Sequence, residues 1–365
     1  MSRRALSSTL VAALAPCIAP ALGAPSLTFQ TIPIPSPLSH MDAAGISADG
    51  NTVCGGGVSS LGIDYAVRWT RSGGSHTLIT EDGFLNCIGT GISADGSTIV
   101  GWAFPNNVNG TRAIYWNPAP HVPYPDHGFN GMTCASADGS VLAGFYGGDA
   151  MRWTAAGGLE VLPSFAFGNA RATGMSWDGK TIVGYDTTGV SWVWHQSTGS
   201  QRLALMAGDQ RPTVEAVSGD GKVAVGVADD PSDNTHHAFR WTESAGYTDL
   251  GSIDPTVYYS RALATNADGS VVVGTSRRSN DYDYPFIWTE ATGMLDLQSI
   301  LISAGLPADA WQWMKPTGVS ADGLTIVGSG TLLGVGSRAW IATIPAPSGV
   351  GAFAGALMLA SRRRR

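Results

Sequence analysis

The chain has 365 residues with a formal net charge of −7, and only 13% of them are charged. Its 48 glycines and its hydrophobic fraction of 44% fit a compact all-β protein with many tight turns and exclude an intrinsically disordered chain. The negative charge argues against nucleic acid or anionic lipid as a partner.

The first 23 residues have the three parts of a secretion signal. Arg3 and Arg4 supply a positive start, and residues 10–22 are mostly apolar. Ala21 and Gly23 are the small residues that a signal peptidase needs, so we expect cleavage after Gly23. Residues 1–23 therefore predict export, and a mature protein that is secreted or held in the cell envelope.

A four-residue phrase, Ser-x-Asp-Gly, recurs through the mature chain, with Asn in place of Ser in the sixth of seven copies. Successive copies are 40 to 54 residues apart, the extremes being Asp138 to Asp178 and Asp268 to Asp322. A period of this size predicts a repeat protein in which each unit needs its neighbours to bury its apolar face. We interpret the seven aspartates as structural turn residues; they are Asp49, Asp95, Asp138, Asp178, Asp220, Asp268 and Asp322.

Each repeat contains four segments of strand-like composition. In the fifth repeat these are residues 213–217, 222–227, 236–242 and 246–250. The Asp-Gly dipeptide between the first two favours a hairpin turn, because glycine accepts the positive φ angle that such turns need. The pattern predicts an all-β fold, a seven-bladed β-propeller of four-stranded antiparallel blades over residues 24–344.

A tryptophan occupies the third strand of every repeat. The residue two positions before it shares its face of the strand and is bulky and apolar in six repeats, the exception being Arg338. We expect this face to pack between adjacent blades, and the intervening Arg68, Arg152 and Arg240 to lie on the other face or at a rim. The tryptophans are Trp69, Trp116, Trp153, Trp194, Trp241, Trp288 and Trp340.

The two ends of the repeat array are complementary. The last repeat stops after its third strand, at residue 344, whereas residues 27–33 have strand-like composition and no blade of their own. We expect this N-terminal strand to complete the last blade, which closes the ring and removes a free sheet edge.

The C-terminal segment, residues 345–365, has three features in order: a proline-rich start, an uncharged apolar stretch over residues 349–361, and an arginine cluster. Thirteen residues are short for a membrane span, which needs about 17 or more. The segment resembles the PEP-CTERM sorting signal of bacterial envelope and extracellular proteins, with alanine where that motif has glutamate. The resemblance implies processing by an exosortase-like enzyme and transient membrane contact; a plain membrane tail is the alternative. The residues concerned are Pro345, Ala346, Pro347, Arg362, Arg363, Arg364 and Arg365.

The repeat itself resembles the bacterial extracellular HAF-repeat family over residues 40–344. The resemblance rests on the ordered elements Ser-Ala-Asp-Gly, a β-run ending in glycine, and Ala-Phe-Arg-Trp-Thr. The tripeptide behind the family's name occurs once, at residues 237–239, and drifts in the other copies. Members of the family are mostly exported proteins without an assigned activity, so the resemblance implies a location more than a reaction.

The sequence offers little catalytic chemistry, since it has no nucleophile elbow, phosphate-binding glycine loop or zinc signature. His236 and His237 are adjacent on a strand and should point to opposite faces, which disfavours a shared metal. Two acidic loops, residues 229–234 and 281–284, carry oxygen ligands of the kind that Ca²⁺ favours, but neither matches an ordered calcium loop. We interpret them as solvated and expect no cofactor, with calcium as the alternative.

Three cysteines remain once the signal is removed, and an odd number permits at most one internal disulfide. Cys54, Cys87 and Cys134 stand at different positions in their repeats, which favours burial as small apolar residues. A disulfide between Cys87 and Cys134 is the alternative.

Because fold does not determine function, the functional prediction rests on the signals and the missing catalytic set. These favour a non-enzymatic binding module of the bacterial surface or extracellular matrix, whose partner is a glycan, a matrix polymer or a surface protein. The alternative is a secreted polysaccharide hydrolase or lyase with converging carboxylates on one propeller face, for which Asp230 and Asp283 are the first acids to test. A purely structural surface protein is a third hypothesis.

Overall fold

The computed structural model describes residues 27–78, 86–104, 110–123, 128–163, 169–203, 211–230, 235–257, 259–280 and 282–345. The predicted signal peptide, Ala346, Pro347 and the four terminal arginines lie outside the described residues, and Pro345 is the last residue within them. Residues 231–234 and 281 of the two acidic loops also lie outside.

Seven four-stranded antiparallel sheets make up nearly all of the described chain, so the predicted seven-bladed propeller is confirmed. In blades one to six the four strands of each sheet follow chain order. Blade one contains β2 (Leu38–Ile46), β3 (Thr52–Ser59), β4 (Asp64–Thr70) and β5 (Gly74–Leu78); blade two contains β6 (Cys87–Ile92), β7 (Ile99–Ala103), β8 (Arg112–Asn117) and β9 (Ala119–His121); blade three contains β10 (Asn130–Ala135), β11 (Val141–Tyr146), β12 (Asp149–Thr154) and β13 (Gly158–Val161). Blade four contains β14 (Ala170–Met175), β15 (Thr181–Asp186), β16 (Ser191–His195) and β17 (Gly199–Arg202); blade five contains β18 (Arg211–Val217), β19 (Val223–Asp230), β20 (Thr235–Thr242) and β21 (Gly246–Asp249); blade six contains β22 (Ser260–Thr265), β23 (Val271–Arg277), β24 (Asp283–Thr289) and β25 (Gly293–Asp296).

Blade seven joins the two ends of the repeat array. It contains β26 (Trp311–Val319), β27 (Thr325–Leu332), β28 (Gly336–Thr343) and, as its outermost strand, β1 (Thr28–Thr31). β1 runs antiparallel to β28, with Thr28 opposite Thr343 and Thr31 opposite Trp340. The predicted closure by the N-terminal strand is therefore confirmed, and the strand removes the free edge of β28.

The hydrophobic core is divided into seven clusters, one at each junction between adjacent blades. Each repeat tryptophan joins the cluster shared with the preceding blade; Trp116, for example, packs with Cys54 and Ala66 of blade one. The residue two positions before each tryptophan lies in the same cluster in six blades. The prediction that this face packs between blades is thus confirmed.

Arg68, Arg152 and Arg240 each lie between the two residues of such a pair, so their side chains leave the third strand on its opposite face. Arg152 pairs through Nη1 with Glu160 at 3.2 Å and lies over the ring of Trp194 in the next blade. Arg68 donates a hydrogen bond from Nη2 to the carbonyl oxygen of Gly96 at 2.9 Å, and Arg240 donates from Nε to that of Gly269 at 3.1 Å. Both acceptors belong to the Asp-Gly turn of the following blade. These two arginines therefore link neighbouring blades from the face opposite the tryptophans.

A one-residue β-bulge interrupts the innermost strand of every blade at the same place. The bulge draws the backbone of the innermost strand towards a glycine of the second strand, which is the glycine that ends each β-run of the repeat. A Cβ at Gly226, for example, would overlap the carbonyl oxygen of Thr213. The repeat glycine is needed because two backbones meet there. The bulged residues are Ala44, Thr90, Thr133, Thr173, Glu215, Leu263 and Thr317.

One short helix, α1 (Leu297–Ser303), is inserted between blades six and seven. Asp296 caps it by accepting a hydrogen bond from the backbone N–H of Ser299 at 3.0 Å. Leu297, Ile300 and Leu301 are buried against the core of these two blades. The insertion accounts for the long spacing of the last repeat, and the sequence reasoning did not foresee a helix there.

Candidate functional site

The seven aspartates sit in near-identical hairpin turns. In the first turn Ser47 Oγ donates to Asp49 Oδ1 at 2.5 Å, Asp49 Oδ1 accepts from the backbone N–H of Asn51 at 3.0 Å, and Ser47 Oγ accepts from the N–H of Thr52 at 2.9 Å. Gly50 follows with a φ of +71°, a conformation that glycine adopts without strain. The carboxylates thus organise the turns, in keeping with the structural role predicted for them.

Hydrogen bonding lowers the pKa of the carboxyl in the third turn. The side chain and backbone N–H of Ser140, together with the side chain of Ser136, lower the pKa of Asp138 to about 2. A general acid needs a pKa near the working pH. The pKa of Asp138 lies far below neutral pH, so this carboxyl is not suited to that role.

The turns are joined into a closed ring by backbone hydrogen bonds. A backbone N–H of each turn donates to a carbonyl oxygen of the turn in the next blade, and the last turn returns to the first, with Ala321 N–H donating to Ala48 O at 2.8 Å. The seven bonds are 2.7 to 3.4 Å long. All seven Asp-Gly turns therefore lie at one end of the central channel.

Trp177 partly covers that end of the channel. It holds the variable position of the fourth turn, and its indole lies directly over Gly219, the corresponding position of the fifth turn, where a Cβ would come within 2.6 Å of the ring. The large residue in one turn and the missing side chain in the next are therefore complementary.

The central channel encloses about 280 Å³ and is lined by the bulged residues of all seven innermost strands. Thr90, Thr133 and Thr173 each donate a side-chain hydrogen bond to a backbone carbonyl of the following blade, at 2.6 to 2.8 Å. The channel lining is thus largely committed to holding adjacent blades together.

Glu215 is the one carboxylate among the described residues that line the channel. Arg261 of the next blade binds it through Nε at 3.1 Å and also through Nη2. Burial acts to lower the pKa of Arg261, but the attraction of Glu215 outweighs it and the pKa is raised. The described channel therefore holds one ion-paired acid rather than the converging carboxylates that a glycosidase needs.

A different concavity, of about 420 Å³, lies between blades six and seven and is named here the Trp313 cleft. Its walls come from the β23–β24 connection, from α1, from the start of β26 and from the residue that follows β27. The lining residues are Arg278, Asn280, Tyr282, Asp283, Tyr284, Gln298, Ser299, Ile302, Asp309, Trp311, Gln312, Trp313 and Leu333.

Exposed aromatic rings form the floor of the Trp313 cleft. Trp313 is 53% exposed and Tyr282 is 46% exposed, with ring centroids 5.8 Å apart and planes inclined by 54°. Trp313 has a φ of +49°, in the left-handed region that bulky residues rarely adopt. The register between β26 and β27 shifts at this point, and the next residue, Met314, is buried in the core. The irregular backbone therefore turns Met314 inward and Trp313 outward.

The cationic groups beside the Trp313 cleft are engaged with acids. Arg278 pairs with the largely buried Asp296 and stacks on Tyr284, with its guanidinium carbon 4.3 Å from the ring centroid. Arg277 contacts Asp283 through Nε at 3.2 Å. Asp309 is exposed, and the described residues show no ion pair to it.

Amide groups complete the Trp313 cleft. Gln298 on α1 donates from Nε2 to the carbonyl oxygens of Ala308 and Trp311 at 2.8 and 2.9 Å, which fixes the segment that carries Asp309. Asn280 donates from Nδ2 to the hydroxyl of Tyr284 at 2.7 Å. The Trp313 cleft thus combines an exposed aromatic surface with polar groups around it.

Sequence reasoning located only part of this cleft. The second acidic loop was singled out, and its Asp283 and Tyr282 do line the cleft, but as an ion-paired acid and an aromatic wall. Trp313 was missed; the two tryptophans of the Trp-Gln-Trp run that opens β26, at 311 and 313, are the signal that was available.

The other candidate residues occupy structural positions. His236 packs against Tyr259 with centroids 5.2 Å apart, whereas His237 Nδ1 lies 3.0 Å from Asp249 Oδ2, so the two rings diverge as predicted. Within the described part of the chain no group of three His, Cys, Asp or Glu side chains is placed to share a metal ion. None of the helices in the described ranges is long and apolar enough to cross a membrane.

The three cysteines are unpaired thiols, and the alternative of a Cys87–Cys134 disulfide is not observed. Cys54 and Cys87 are buried in the cluster between blades one and two, and Cys134 is partly buried. Burial raises the pKa of Cys54 and of Cys134 to about 12, which keeps these thiols protonated and unreactive.

Comparison with solved structures finds the same fold at low sequence identity. U3-55K is similar with a TM-score of 0.53 and 11% identity over 87% of this chain and 98% of that chain. The Cps50 (Swd1) β-propeller domain of Myceliophteria thermophila has a TM-score of 0.50 and 13% identity over 87% and 100%. TolB from Acinetobacter baumannii has a TM-score of 0.47 and 14% identity over 67% of this chain. The match covers 62% of the TolB chain. No family model matches the sequence, and the comparison with curated proteins finds no match.

Proposed function

We propose that this chain is an exported, non-enzymatic binding module of the bacterial surface or extracellular matrix. The secretion signal at residues 1–23 and the PEP-CTERM-like segment at residues 345–365 support export and sorting by an exosortase-like enzyme. The resemblance to exported HAF-repeat proteins points the same way. The partner is a glycan, a matrix polymer or a surface protein.

The observation that carries the binding role is the Trp313 cleft. Trp313 and Tyr282 expose large aromatic surfaces side by side, next to a concavity of about 420 Å³. Exposed aromatic surface in a concave site is typical of recognition, since covering it on binding releases water and recovers apolar contact area. The outward turn of Trp313 also requires an unfavourable backbone conformation, which a folding role alone does not explain.

The alternative of a secreted polysaccharide hydrolase or lyase is less well supported. Asp283 and Asp309 both line the cleft, but Arg277 holds Asp283 in an ion pair. Among the described residues that line the cleft, Asp309 is then the single acid outside an ion pair, whereas hydrolysis of a glycosidic bond ordinarily uses two carboxyl groups.

The test is cosedimentation of the purified protein with the insoluble extracellular matrix of the bacterium that produces it. We expect the wild-type protein to pellet with the matrix and Trp313→Ala to remain in solution. Phe129→Ala is the matched control, because Phe129 is an aromatic of blade three that is 70% exposed and far from the cleft. Equal retention of Trp313→Ala and wild type would refute the cleft as the binding site.

A further inference from the structure

We infer that the ligand of the Trp313 cleft is an uncharged polysaccharide, with one pyranose ring stacked on the indole of Trp313. The inference rests on the proposed function and adds the chemical class of the ligand. It follows from the shape of the aromatic floor, from the type of polar groups around it and from the charge that remains in the cleft once its ion pairs are formed.

The aromatic floor suits a sugar ring better than a flat or a flexible ligand. A pyranose carries C–H groups on one face, whose partial positive charge is attracted to the negative face of an indole. Tyr282 is inclined by 54° to Trp313, so the two rings form a corner instead of two parallel walls. A corner accommodates a thick, puckered ring on one wall with its edge against the other, whereas a planar base or aromatic side chain is better held between parallel walls.

The polar groups around the floor match hydroxyl groups. Gln312 contributes a side-chain amide and Asp309 a carboxylate. Asn280, Gln298 and Ser299 already donate hydrogen bonds within the protein, and they offer the sites that these bonds leave open, such as the amide oxygen of Gln298. Hydroxyls both donate and accept hydrogen bonds, so a mixed set of amide and carboxylate groups can satisfy several of them on one sugar. The volume of about 420 Å³ lies within the range of about 300 to 1,000 Å³ of small-molecule sites, and fits a short segment of a polymer.

The charge of the cleft selects against acidic sugars. Arg278 pairs with Asp296, Arg277 pairs with Asp283, and Lys315, two residues after Trp313, does not line the cleft. Among the described lining residues Asp309 is left as the unbalanced charge, so a uronate or a sulfated sugar would meet a carboxylate that none of the described cations there compensates. An uncharged glycan has no such penalty.

Contacts within the protein hold the β26 side of the cleft in place. Met314 anchors the strand in the core, and the two hydrogen bonds from Gln298 hold the segment that carries Asp309. A rigid platform loses little conformational entropy on binding, which suits the weak individual contacts that a neutral sugar offers.

The experiment uses native matrix separated into its components. Phenol extraction divides it into protein and polysaccharide, and anion exchange divides the polysaccharide into uncharged and acidic polymers. Binding of the full chain to each fraction is followed by microscale thermophoresis. We expect binding to the uncharged polymer that varies by less than about twofold between 0.05 and 0.5 M NaCl, because no ion pair is formed. Binding only to the acidic polymer or only to the protein fraction would overturn the inference and leave the proposed function standing, and binding to none would overturn both.

Variants separate the aromatic from the electrostatic contribution. Trp313→Ala should weaken binding to the uncharged polymer about tenfold or more, and Trp313→Phe should restore part of it because a smaller ring still stacks. Asp309→Lys should give the cleft a measurable affinity for the acidic polymer that the wild type lacks. If Asp309→Lys gains nothing while its thermal melting is unchanged, the charge argument is wrong.

Discussion

At the scale of single residues, Trp313 couples a cost in stability to the exposed aromatic surface that we propose for binding. Its φ of +49° places a bulky side chain in the left-handed region, which costs an L-amino acid about 1–2 kcal/mol relative to right-handed backbone. The residue is also more than half exposed, so burial does not offset this cost. The proposed binding role accounts for both observations.

This cost gives a first prediction. Trp313→Gly and Trp313→Ala remove the same ring, but only glycine relieves the backbone, so we expect the glycine variant to be more stable than the alanine variant by about 1 kcal/mol. Neither should retain matrix binding. Guanidinium unfolding of the two proteins measures the difference; an alanine variant at least as stable as the glycine variant would show that the backbone at 313 is not strained.

The turn aspartates lead to a second prediction, on acid stability. The folded-state pKa of Asp138 is lowered from the ordinary 3.8 to about 2 by hydrogen bonds from Ser140 and Ser136. The stability that ionised Asp138 gives the folded state is therefore fully present above about pH 4 and is lost as the pH falls towards 2. Asp138→Asn should lower the melting temperature at pH 7 and flatten its decline between pH 4 and 2. Ser136→Ala should also flatten this decline, but less, because Ser140 still lowers the pKa of Asp138. An unchanged decline between pH 4 and 2 in both variants would contradict this account.

At the scale of elements, the bulge of the innermost strand and the glycine of the second strand form one unit. Bulged residues occupy the same place in all seven blades and line the channel. The bulge brings a carbonyl oxygen so close to the second strand that no side chain fits between them. The repeat glycine therefore follows from the curvature of the innermost strand and not from a turn.

Blade five offers a matched pair of glycines for the third prediction. A Cβ at Gly226 would overlap the carbonyl oxygen of Thr213, whereas Gly246 has a φ of +70° and open space around it. Gly226→Ala should destabilise the protein by about 3 kcal/mol or prevent folding, and Gly246→Ala by about 1 kcal/mol. Urea unfolding, or soluble yield where unfolding is not measurable, ranks the two; equal effects would mean that the backbones at the bulge separate easily.

At the scale of the whole molecule, the parts that sequence reasoning predicted are those that repeat. Asp-Gly turns and strand-three tryptophans are local signals, and seven copies at one period define blade number, strand order and the inter-blade core. The lone strand at residues 27–33 was assigned because the array lacked one strand at its far end. The turns, the tryptophans and the spare strand can each be recognised from a few consecutive residues. Their number and order along the chain then predict the architecture.

The Trp313 cleft could not be predicted in the same way because it depends on departures from the repeat. It needs the inserted helix α1, an extra register shift at the start of β26 and a tryptophan in the left-handed region, and none of these belongs to the pattern that the blades share. Its walls also come from two blades, so their approach depends on ring geometry. Asp283 was noticed because acidic residues cluster in sequence, whereas its pairing with Arg277 depends on three-dimensional placement.

Ring closure gives the last prediction. β1 is short, and Phe29 anchors it: the ring is 8% exposed and lies 5.6 Å from Trp311 and 6.0 Å from Trp340, between centroids. Phe29→Ala should therefore cost about 3–5 kcal/mol, the usual range for a buried phenylalanine, and should free the edge of β28. The exposed Phe129 is the matched control, and Phe129→Ala should change stability by less than about 0.5 kcal/mol. Because blade seven also forms one wall of the Trp313 cleft, loss of β1 should weaken matrix binding as well. Hydrogen exchange measures the exposure of β28, and cosedimentation measures the binding. If Phe29→Ala and Phe129→Ala have the same melting temperature, the N-terminal strand pairs with β28 without stabilising the closed ring.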